Sequence, residues 1–175
     1  MKVALFILSL LFFSQPFAEV NRIEYKIKAG YIYNFTKFIT WPKNESNSFN
    51  ICILGHDPFG EIIDPIEKRD VKSKPIRLFR IKTINNIAHC HIVYASDQSN
   101  IALAKRGILT ISSTYPKLTV GETTEFTQKG GMISFFQYKG KVKLRINLKR
   151  LRQSGLKISA KLLEVAEVYE GDSND

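Results

Sequence analysis

The stretch FNICILGHDPFG, residues 49–60, decides the fold class. Its first six residues form a short and nearly continuous apolar run, which is typical of the buried strands of α/β proteins. After Gly55 the residues favour a turn into a helix, because Asp57 can cap a helix N-terminus and Pro58 can occupy the first helical position. We therefore expect a strand at 49–54, followed by a helix that extends to about Lys68.

Similar signals on both sides of this stretch predict strands that alternate with helices. Upstream, we expect a helix from about Ile23 to Ile39, ended by Pro42, because proline disfavours helical geometry in the residue before it. The predicted apolar face of this helix carries Ile23, Ile27, Tyr31, Phe35, Phe38 and Ile39. The alternation of elements predicts a single α/β domain with a mixed β-sheet of about six strands, flanked by helices.

The elements predicted downstream complete this sheet. Strands are expected at 75–82, 90–95 and 109–112, a short helix at 100–105, and a β-hairpin with strands 130–136 and 141–147 that turns at Lys139-Gly140. The chain should close with an amphipathic helix capped by Ser159, because Ile158, Leu162, Val165, Ala166 and Tyr169 share a helical spacing.

The N-terminus has the form of a secretory signal peptide over residues 1–18. Lys2 precedes an apolar run of 11 residues, and Ala18 is a small residue at the expected cleavage position. A run this short falls well below the ~20 residues that span a bilayer. We expect an exported, soluble product with one domain at 19–170 and a disordered tail at 171–175; an uncleaved membrane anchor is the alternative.

The charge of the chain favours acidic partners. The formal net charge is +10, and removal of Lys2 with the signal peptide would leave +9. A strongly basic protein can bind nucleic acid, anionic lipid headgroups or an acidic protein face. Export makes nucleic acid the least favoured of the three, so we expect no nucleic-acid partner.

The glycine-containing loop at 55–60 lacks the pattern of a nucleotide site. Gly55 and Gly60 are its only glycines, whereas a dinucleotide fingerprint needs three in a G-x-G-x-x-G array. A strand-to-helix turn is the simpler interpretation. A pocket for a small ligand at this loop stays open as the alternative function, because α/β sheets favour ligands at the carboxyl ends of their strands.

A second stretch, NIAHCHIVYAS at 86–96, places Cys90 between His89 and His91. Side chains alternate along a strand, so the two histidines should share one face and Cys90 should point to the other. That geometry argues against a Cys-His catalytic pair and against a mixed cysteine-histidine metal site. A metal site that joins both histidines to His56 remains an alternative, with ordinary strand-end histidines favoured. No catalytic triad or paired carboxylates stand out, and no cofactor is predicted.

The two cysteines are better explained as a disulfide bond. Cys52 and Cys90 are the only cysteines, and both lie in apolar strands of a chain expected in an oxidising compartment. Adjacent strands lie ~4.8 Å apart, within reach of disulfide geometry when both side chains share a face. Two inert buried thiols are the alternative.

A run of basic residues without acidic neighbours marks a candidate partner surface. Between Glu125 and Glu164 there is no acidic residue. Alternation along the strand at 141–147 should place Val142, Leu144 and Ile146 in the core. The opposite, solvated face would then carry Lys141, Lys143 and Arg145. This face is either a docking surface or a solubility face.

Taken in order, several segments resemble the YfiR family. They are KAGYIYNFTKFITWP (28–42), NICILGHDPFGE (50–61), AHCHIVYAS (88–96), LTVGE (118–122), GGMISFF (130–136) and LRINLKRLRQSGLKISAKLLEVA (144–166). The resemblance implies a periplasmic, homodimeric, non-enzymatic regulator that represses an inner-membrane diguanylate cyclase and so lowers cyclic-di-GMP signalling.

The resemblance also implies an outer-membrane OmpA-like lipoprotein as a second partner and redox sensitivity through cysteines. Cys52 and Cys90 match one cysteine pair of the family, whereas residues 130–156 lack the second pair of its best-known members. The family supplies no catalytic residues to carry over.

Overall fold

The computed structural model of the chain describes residues 16–43, 45–96 and 115–170. Its helices are α1 (Pro16–Phe38), α2 (Thr124–Gln128), α3 (Leu148–Gln153) and α4 (Ala160–Leu163). Its strands are β1 (Ile39–Thr40), β2 (Phe49–Leu54), β3 (Asp70–Val71), β4 (Lys74–Ile81), β5 (Ile92–Ala95), β6 (Leu118–Gly121), β7 (Ile133–Tyr138), β8 (Lys141–Asn147), β9 (Lys157–Ile158) and β10 (Ala166–Tyr169). In this part of the chain no helix has the length and apolar character needed to cross a bilayer.

One mixed sheet of eight strands organises the domain, in the order β10-β8-β7-β6-β5-β2-β4-β3. The central strands β7, β6, β5, β2 and β4 are parallel, and β8 runs antiparallel to β7. A separate antiparallel pair joins β1 to β9. The predicted class, a mixed α/β sheet with flanking helices, is confirmed, but the sheet is larger than the six strands expected. The strand predicted at 109–112, the helix at 100–105, residues 1–15 of the predicted signal peptide and the tail at 171–175 lie outside the described residues.

The first helix packs its second half on the sheet. Ile32 and Phe35 are fully buried there, together with strand residues such as Ile51 and Phe135. The predicted apolar face is wrong in its first turns, because Ile23 and Ile27 are 49% and 43% exposed. Helical spacing identifies an apolar stripe, but it does not show where the supporting sheet stops.

The segment after β2 forms two short 3-10 helices, Gly60–Ile62 and Asp64–Lys68, instead of the single helix predicted. Asp57 does cap this segment, since its Oδ1 accepts hydrogen bonds from the N–H groups of Phe59 and Gly60, at 2.8 and 3.3 Å. Gly60 has a left-handed φ of +52°, and Pro65 disfavours helical geometry in the residue before it. These two residues interrupt a regular helix.

The predicted C-terminal helix is also wrong. Only Ala160–Leu163 is helical, and Ser159 stands at its N-cap position without a side-chain hydrogen bond. The chain then becomes β10, which pairs in parallel with β8 from Ala166 opposite Leu144 to Tyr169 opposite Asn147. The backbone groups on the outer edge of β8 need partners, and this tertiary requirement overrides the helical spacing of the side chains.

The β7–β8 hairpin forms with the predicted turn and second strand, while its first strand lies at Ile133–Tyr138 instead of 130–136. Lys139 and Gly140 both have positive φ, at 49° and 71°, as a tight two-residue hairpin turn requires. In β8 the side chains of Leu144 and Ile146 are buried, and Ile146 lies opposite Ile133 of β7. The hairpin therefore directs alternate side chains of β8 into the core and away from it.

Candidate functional site

A disulfide bond joins Cys52 of β2 to Cys90, which lies just before β5. Both cysteines are fully buried, in a small apolar cluster with Leu54, Ile87 and Val93. Their neighbours Ile51 and Ile53 point to the other side of the sheet, into the main core beneath α1. The pairing expected from the sequence is therefore present, on the sheet face away from α1.

The strand alternation predicted for residues 89–91 is wrong. The strand begins only at Ile92, so His89 and Cys90 lie in the preceding turn and their side chains need not alternate. His89 lies beside the disulfide, with its Nε2 3.9 Å from Cys52 Sγ. His91 instead is buried on the other side of the sheet and stacks on Phe49, with ring centroids 4.6 Å apart.

The alternative of a three-histidine metal site is not formed. His56 follows the carboxyl end of β2, whereas His89 and His91 precede the amino end of β5, which runs parallel to β2. The imidazole of His56 is therefore at the opposite end of these neighbouring strands from the imidazoles of His89 and His91. Within the described part of the chain, the only cluster of potential metal ligands consists of Cys52, His89 and Cys90.

An aromatic cavity of about 250 Å³ opens at the amino ends of β2, β4 and β5. Its aromatic walls are Trp41, Phe49, His91 and Tyr115, and its cationic residues are Lys43, Lys72 and Lys74. Trp41 packs edge-on against Phe49 at 5.0 Å, and Tyr115 packs edge-on against His91 at 5.3 Å. Such a lining suits a small apolar or aromatic group whose negative charge is directed toward the lysines.

His91 contributes a neutral imidazole to this cavity. Its Nδ1 accepts a hydrogen bond from the Asn50 N–H at 2.9 Å, which places the proton of the neutral ring on Nε2. Burial lowers the pKa of His91 from 6.5 to about 4, and the positive charges of Lys74 and Lys117 act in the same direction. His91 is therefore uncharged near neutral pH.

The loop at 55–60, the alternative ligand site, lies at the opposite end of β2 from this cavity. Arg80 ties the loop together, since it contacts Asp57 at 2.6 Å, Asp64 at 2.7 Å and the Gly60 carbonyl oxygen at 2.8 Å. Hydrogen bonds to Asp64 and Asp57 raise the pKa of Arg80 above its ordinary value. The carboxylate of the loop is thus already paired within the chain.

A charged cluster lies beneath α1 near the carboxyl ends of β5 and β6. Lys28 is buried and contacts Glu24 at 2.5 Å and Glu122 at 2.9 Å. The Tyr94 hydroxyl donates a short hydrogen bond to Glu122 Oε1. Burial raises the pKa of Tyr94 well above its ordinary value, and the nearby charge of Glu122 raises it further. The cluster fixes α1 to the sheet.

Only part of the predicted basic face is exposed to solvent. Lys141 and Lys143 are exposed, but Arg145 is half-buried, pairs with Glu167 of β10 and lies over the Phe136 ring at 5.8 Å. A groove beside these residues is lined by Phe136, Tyr138, Lys141, Val142, Lys143 and Val165 among others. Tyr138 and Val165 are 54% and 56% exposed, so the lysines border a partly apolar surface.

A family model described as YfiR/HmsC-like matches residues 25–167, most of the chain. The chain belongs to the YfiR/HmsC-like family. The match includes both cysteines, His89 and His91, the aromatic cavity and the strand that carries Lys141 and Lys143. The resemblance expected from the ordered sequence segments is confirmed.

Solved structures with a similar fold share little sequence with this YfiR/HmsC-like chain. A conserved domain protein from Vibrio cholerae O1 biovar El Tor is 13% identical, with a TM-score of 0.55 over 85% of this chain and 60% of that one. The ABC domain in complex with L-Trp from Streptococcus pneumonia is 16% identical, with a TM-score of 0.52 over 78% and 59%. The chain therefore spans about 60% of the length of these structures, and the likeness shows the fold alone. No curated protein sequence matches the chain.

Sequence reasoning missed two features of this family member. The aromatic cavity combines residues from five separate segments, so no local sequence motif predicts it. The Lys28 cluster did leave a signal, because Lys28 stands one helical turn before buried Ile32 and one turn after Glu24. A lysine on the apolar side of a helix requires a buried partner, and Glu122 is that partner.

Proposed function

We propose that this YfiR/HmsC-like protein is a non-enzymatic periplasmic regulator. It binds the periplasmic region of an inner-membrane diguanylate cyclase and represses it, which lowers cyclic-di-GMP signalling. Family membership over residues 25–167 is the observation that carries the proposal. The Cys52–Cys90 bridge supports an oxidising compartment, because disulfides persist in the periplasm and are rare in the cytosol.

The surface around the β7–β8 hairpin is the proposed docking site. Protein interfaces typically combine apolar or aromatic anchors with a charged rim. Tyr138 and Val165 offer exposed apolar area, and Lys141 and Lys143 lie beside them in the same groove. Rim charges of this kind mainly accelerate encounter with an acidic protein face, while the anchors supply most of the affinity.

Lys141 and Lys143 should contribute more to this steering than Arg145. Glu167 pairs with the guanidinium of Arg145 and compensates its charge. A glutamate at position 145 would also lie directly beside Glu167 and weaken the pairing of β8 with β10. The test is therefore best made with the two lysines alone.

The test compares Lys141→Glu/Lys143→Glu with a control of equal charge change, Lys68→Glu/Lys82→Glu. All four side chains are exposed; of the control lysines, Lys68 ends a 3-10 helix and Lys82 directly follows β4, which is separated from β8 by several strands. The first variant should associate more slowly with the cyclase's periplasmic region, and the cellular cyclic-di-GMP level should rise because repression is weakened. The control variant should repress the cyclase as wild type does. Thermal melts check that both variants fold.

Two other outcomes have a clear meaning. Equal repression by both variants and wild type would reduce the hairpin lysines to a solubility face. Loss of binding to anionic vesicles, with unchanged binding to the cyclase region, would assign the lysines to a lipid surface. In that case each basic residue would contribute about 1 kcal/mol and the binding would weaken with salt.

Three companion proposals complete this function. Residues 1–18 are removed on export, which the intact mass of protein released from the periplasm would test. The protein is a homodimer, for which the exposed Val20, Ile23 and Ile27 of α1 offer an apolar contact surface, and light scattering gives the mass. An outer-membrane OmpA-like lipoprotein sequesters the regulator, and competition with the cyclase region for binding would test it.

A further inference from the structure

The turn before β5 places an imidazole against the disulfide, on the sheet face away from α1. The Sγ atoms of Cys52 and Cys90 and a ring nitrogen of His89 all lie within 4.8 Å of one another. We propose that the reduced protein binds one thiophilic d10 cation, with Zn(II) as the reference case, through Cys52, Cys90 and His89. The disulfide form cannot bind it, so the bridge acts as a redox gate on a metal site.

The separations fit a tetrahedral zinc site after a small rearrangement. Zn–S bonds of about 2.3 Å and Zn–N bonds of about 2.0–2.1 Å place two sulfurs about 3.8 Å apart, and a sulfur and a nitrogen about 3.6 Å apart. The observed distance from Cys52 Sγ to His89 Nε2 is 3.9 Å. The main movement is therefore the separation of the two sulfurs once their bond is broken.

The ligands are held in place by contacts that do not depend on the disulfide. The Asn50 side-chain amide donates to the His89 carbonyl oxygen at 2.8 Å, and the His91 N–H donates to the Asn50 carbonyl oxygen at 2.8 Å. The Cys90 N–H donates to the carbonyl oxygen of the residue three positions earlier at 3.0 Å. The ring of His89 packs edge-on against Phe79 at 4.7 Å. Reduction therefore frees the sulfurs without removing the hydrogen bonds that fix the turn.

Burial favours the metal complex over free thiolates. Both cysteines are buried, so an isolated thiolate at either position would carry a desolvation penalty. A dication bound to two thiolates and one neutral imidazole has no net charge, which removes most of that penalty. His89 is exposed, so the cation can enter from its side, and water can complete the coordination.

The chemistry balances with a dithiol as the reductant. The dithiol transfers two electrons and two protons to the Cys52–Cys90 bond and becomes a disulfide itself, leaving two protein thiols. Zn(II) then displaces the two thiol protons to solvent and accepts a lone pair from the His89 ring. Reoxidation requires a disulfide as the oxidant, which accepts two electrons and two protons and becomes a dithiol while the Cys52–Cys90 bond forms again. The cation is then released, because a disulfide sulfur is a far poorer ligand than a thiolate.

The test is a metal titration of the full-length protein, oxidised and reduced, under anaerobic conditions. Co(II) serves as the spectroscopic probe, followed by displacement with Zn(II). We expect one Co(II) per reduced chain, with thiolate charge-transfer and tetrahedral d–d absorption, and no such absorption in the oxidised chain. Zn(II) should raise the melting temperature of the reduced form only.

Variants separate the ligand role from a structural one. His89→Ala should weaken binding at least about tenfold, since loss of outer-shell partners alone typically weakens metal sites 10–100-fold. His56→Ala is the matched control and should bind as wild type, because it alters an exposed histidine at the other end of the sheet. Equal affinity in the His89 variant, binding to the oxidised protein, or a reduced chain that is unfolded and stays unfolded with Zn(II) would each overturn the proposal. The titration uses no cyclase, so its failure would leave the proposed regulatory function standing.

Discussion

Reduction of the Cys52–Cys90 bond should destabilise the domain by about 4 kcal/mol. The two cysteines are 38 residues apart, and in the loop-entropy model a closed loop of that length stabilises the folded chain by roughly 4 kcal/mol. Both sulfurs remain in the buried cluster after reduction and only move apart, so no cavity forms and loss of the crosslink is the main change. The double variant Cys52→Ala/Cys90→Ala should have a free energy of unfolding about 1–2 kcal/mol lower than that of the reduced wild type, because it also removes two buried sulfur atoms.

Urea unfolding at pH 7, in a buffer with a metal chelator, measures this difference. Trp41 is the only tryptophan and packs against Phe49, so its fluorescence reports the packing near the amino ends of the strands. With a urea m-value of about 2 kcal/mol/M, the unfolding midpoint should fall by about 2 M on reduction. A shift below about 0.5 M would refute the reasoning, since the unfolded chain would then gain little freedom from loss of the bridge.

Three further predictions follow from buried groups. His91, with its pKa lowered to about 4, stays neutral in the fold while the unfolded chain takes up a proton below pH 6.5. The free energy of unfolding of wild type should therefore fall by up to about 3 kcal/mol more than that of His91→Asn as the pH falls from about 6.5 to 4. Urea unfolding at each pH measures this difference. Lys28→Met leaves two carboxylates without their cation and should cost about 3 kcal/mol at pH 7; a loss within 0.5 kcal/mol of zero would contradict a buried ion pair. Gly131→Ala places a Cβ 2.2 Å from the buried Phe126 ring and should cost about 1–3 kcal/mol, whereas Gly30→Ala, on the exposed side of α1 with open space around it, should stabilise by up to about 1 kcal/mol; equal melting temperatures for the two would argue against the clash.

The parts of the fold that sequence predicts well are those set by local chemistry. The apolar run at 49–54, the alternation at 75–82 and the Lys139-Gly140 turn each depend on neighbouring residues, and each forms an element where expected. The disulfide partner was also determined, because the chain offers only two cysteines.

The errors arise where distant contacts decide the outcome. Residues 166–169 became a strand because β8 had an open edge beside them, although their spacing also fits a helix face. His89 lies with the cysteines because β5 starts at Ile92, two residues later than expected. A boundary shift of that size is beyond sequence patterns, yet it moves a side chain to the other face of a sheet. This shift brings His89 to the two cysteines, whereas it leaves the fold class unchanged.

The pairing order of the sheet bears on how the domain assembles as it is made. Among the described residues, strands β2, β3, β4 and β5 (residues 49–95) pair with one another, and β5 also pairs with β6. Both cysteines belong to this contiguous half. A chain that emerges amino terminus first therefore presents everything needed for the covalent bond before β6, β7 and β8 exist to extend the sheet. With no third cysteine in the chain, oxidation has a single intramolecular product. In the finished sheet β6 lies at the β5 edge of this half, and β10, the last strand along the chain, pairs with the outer edge of β8.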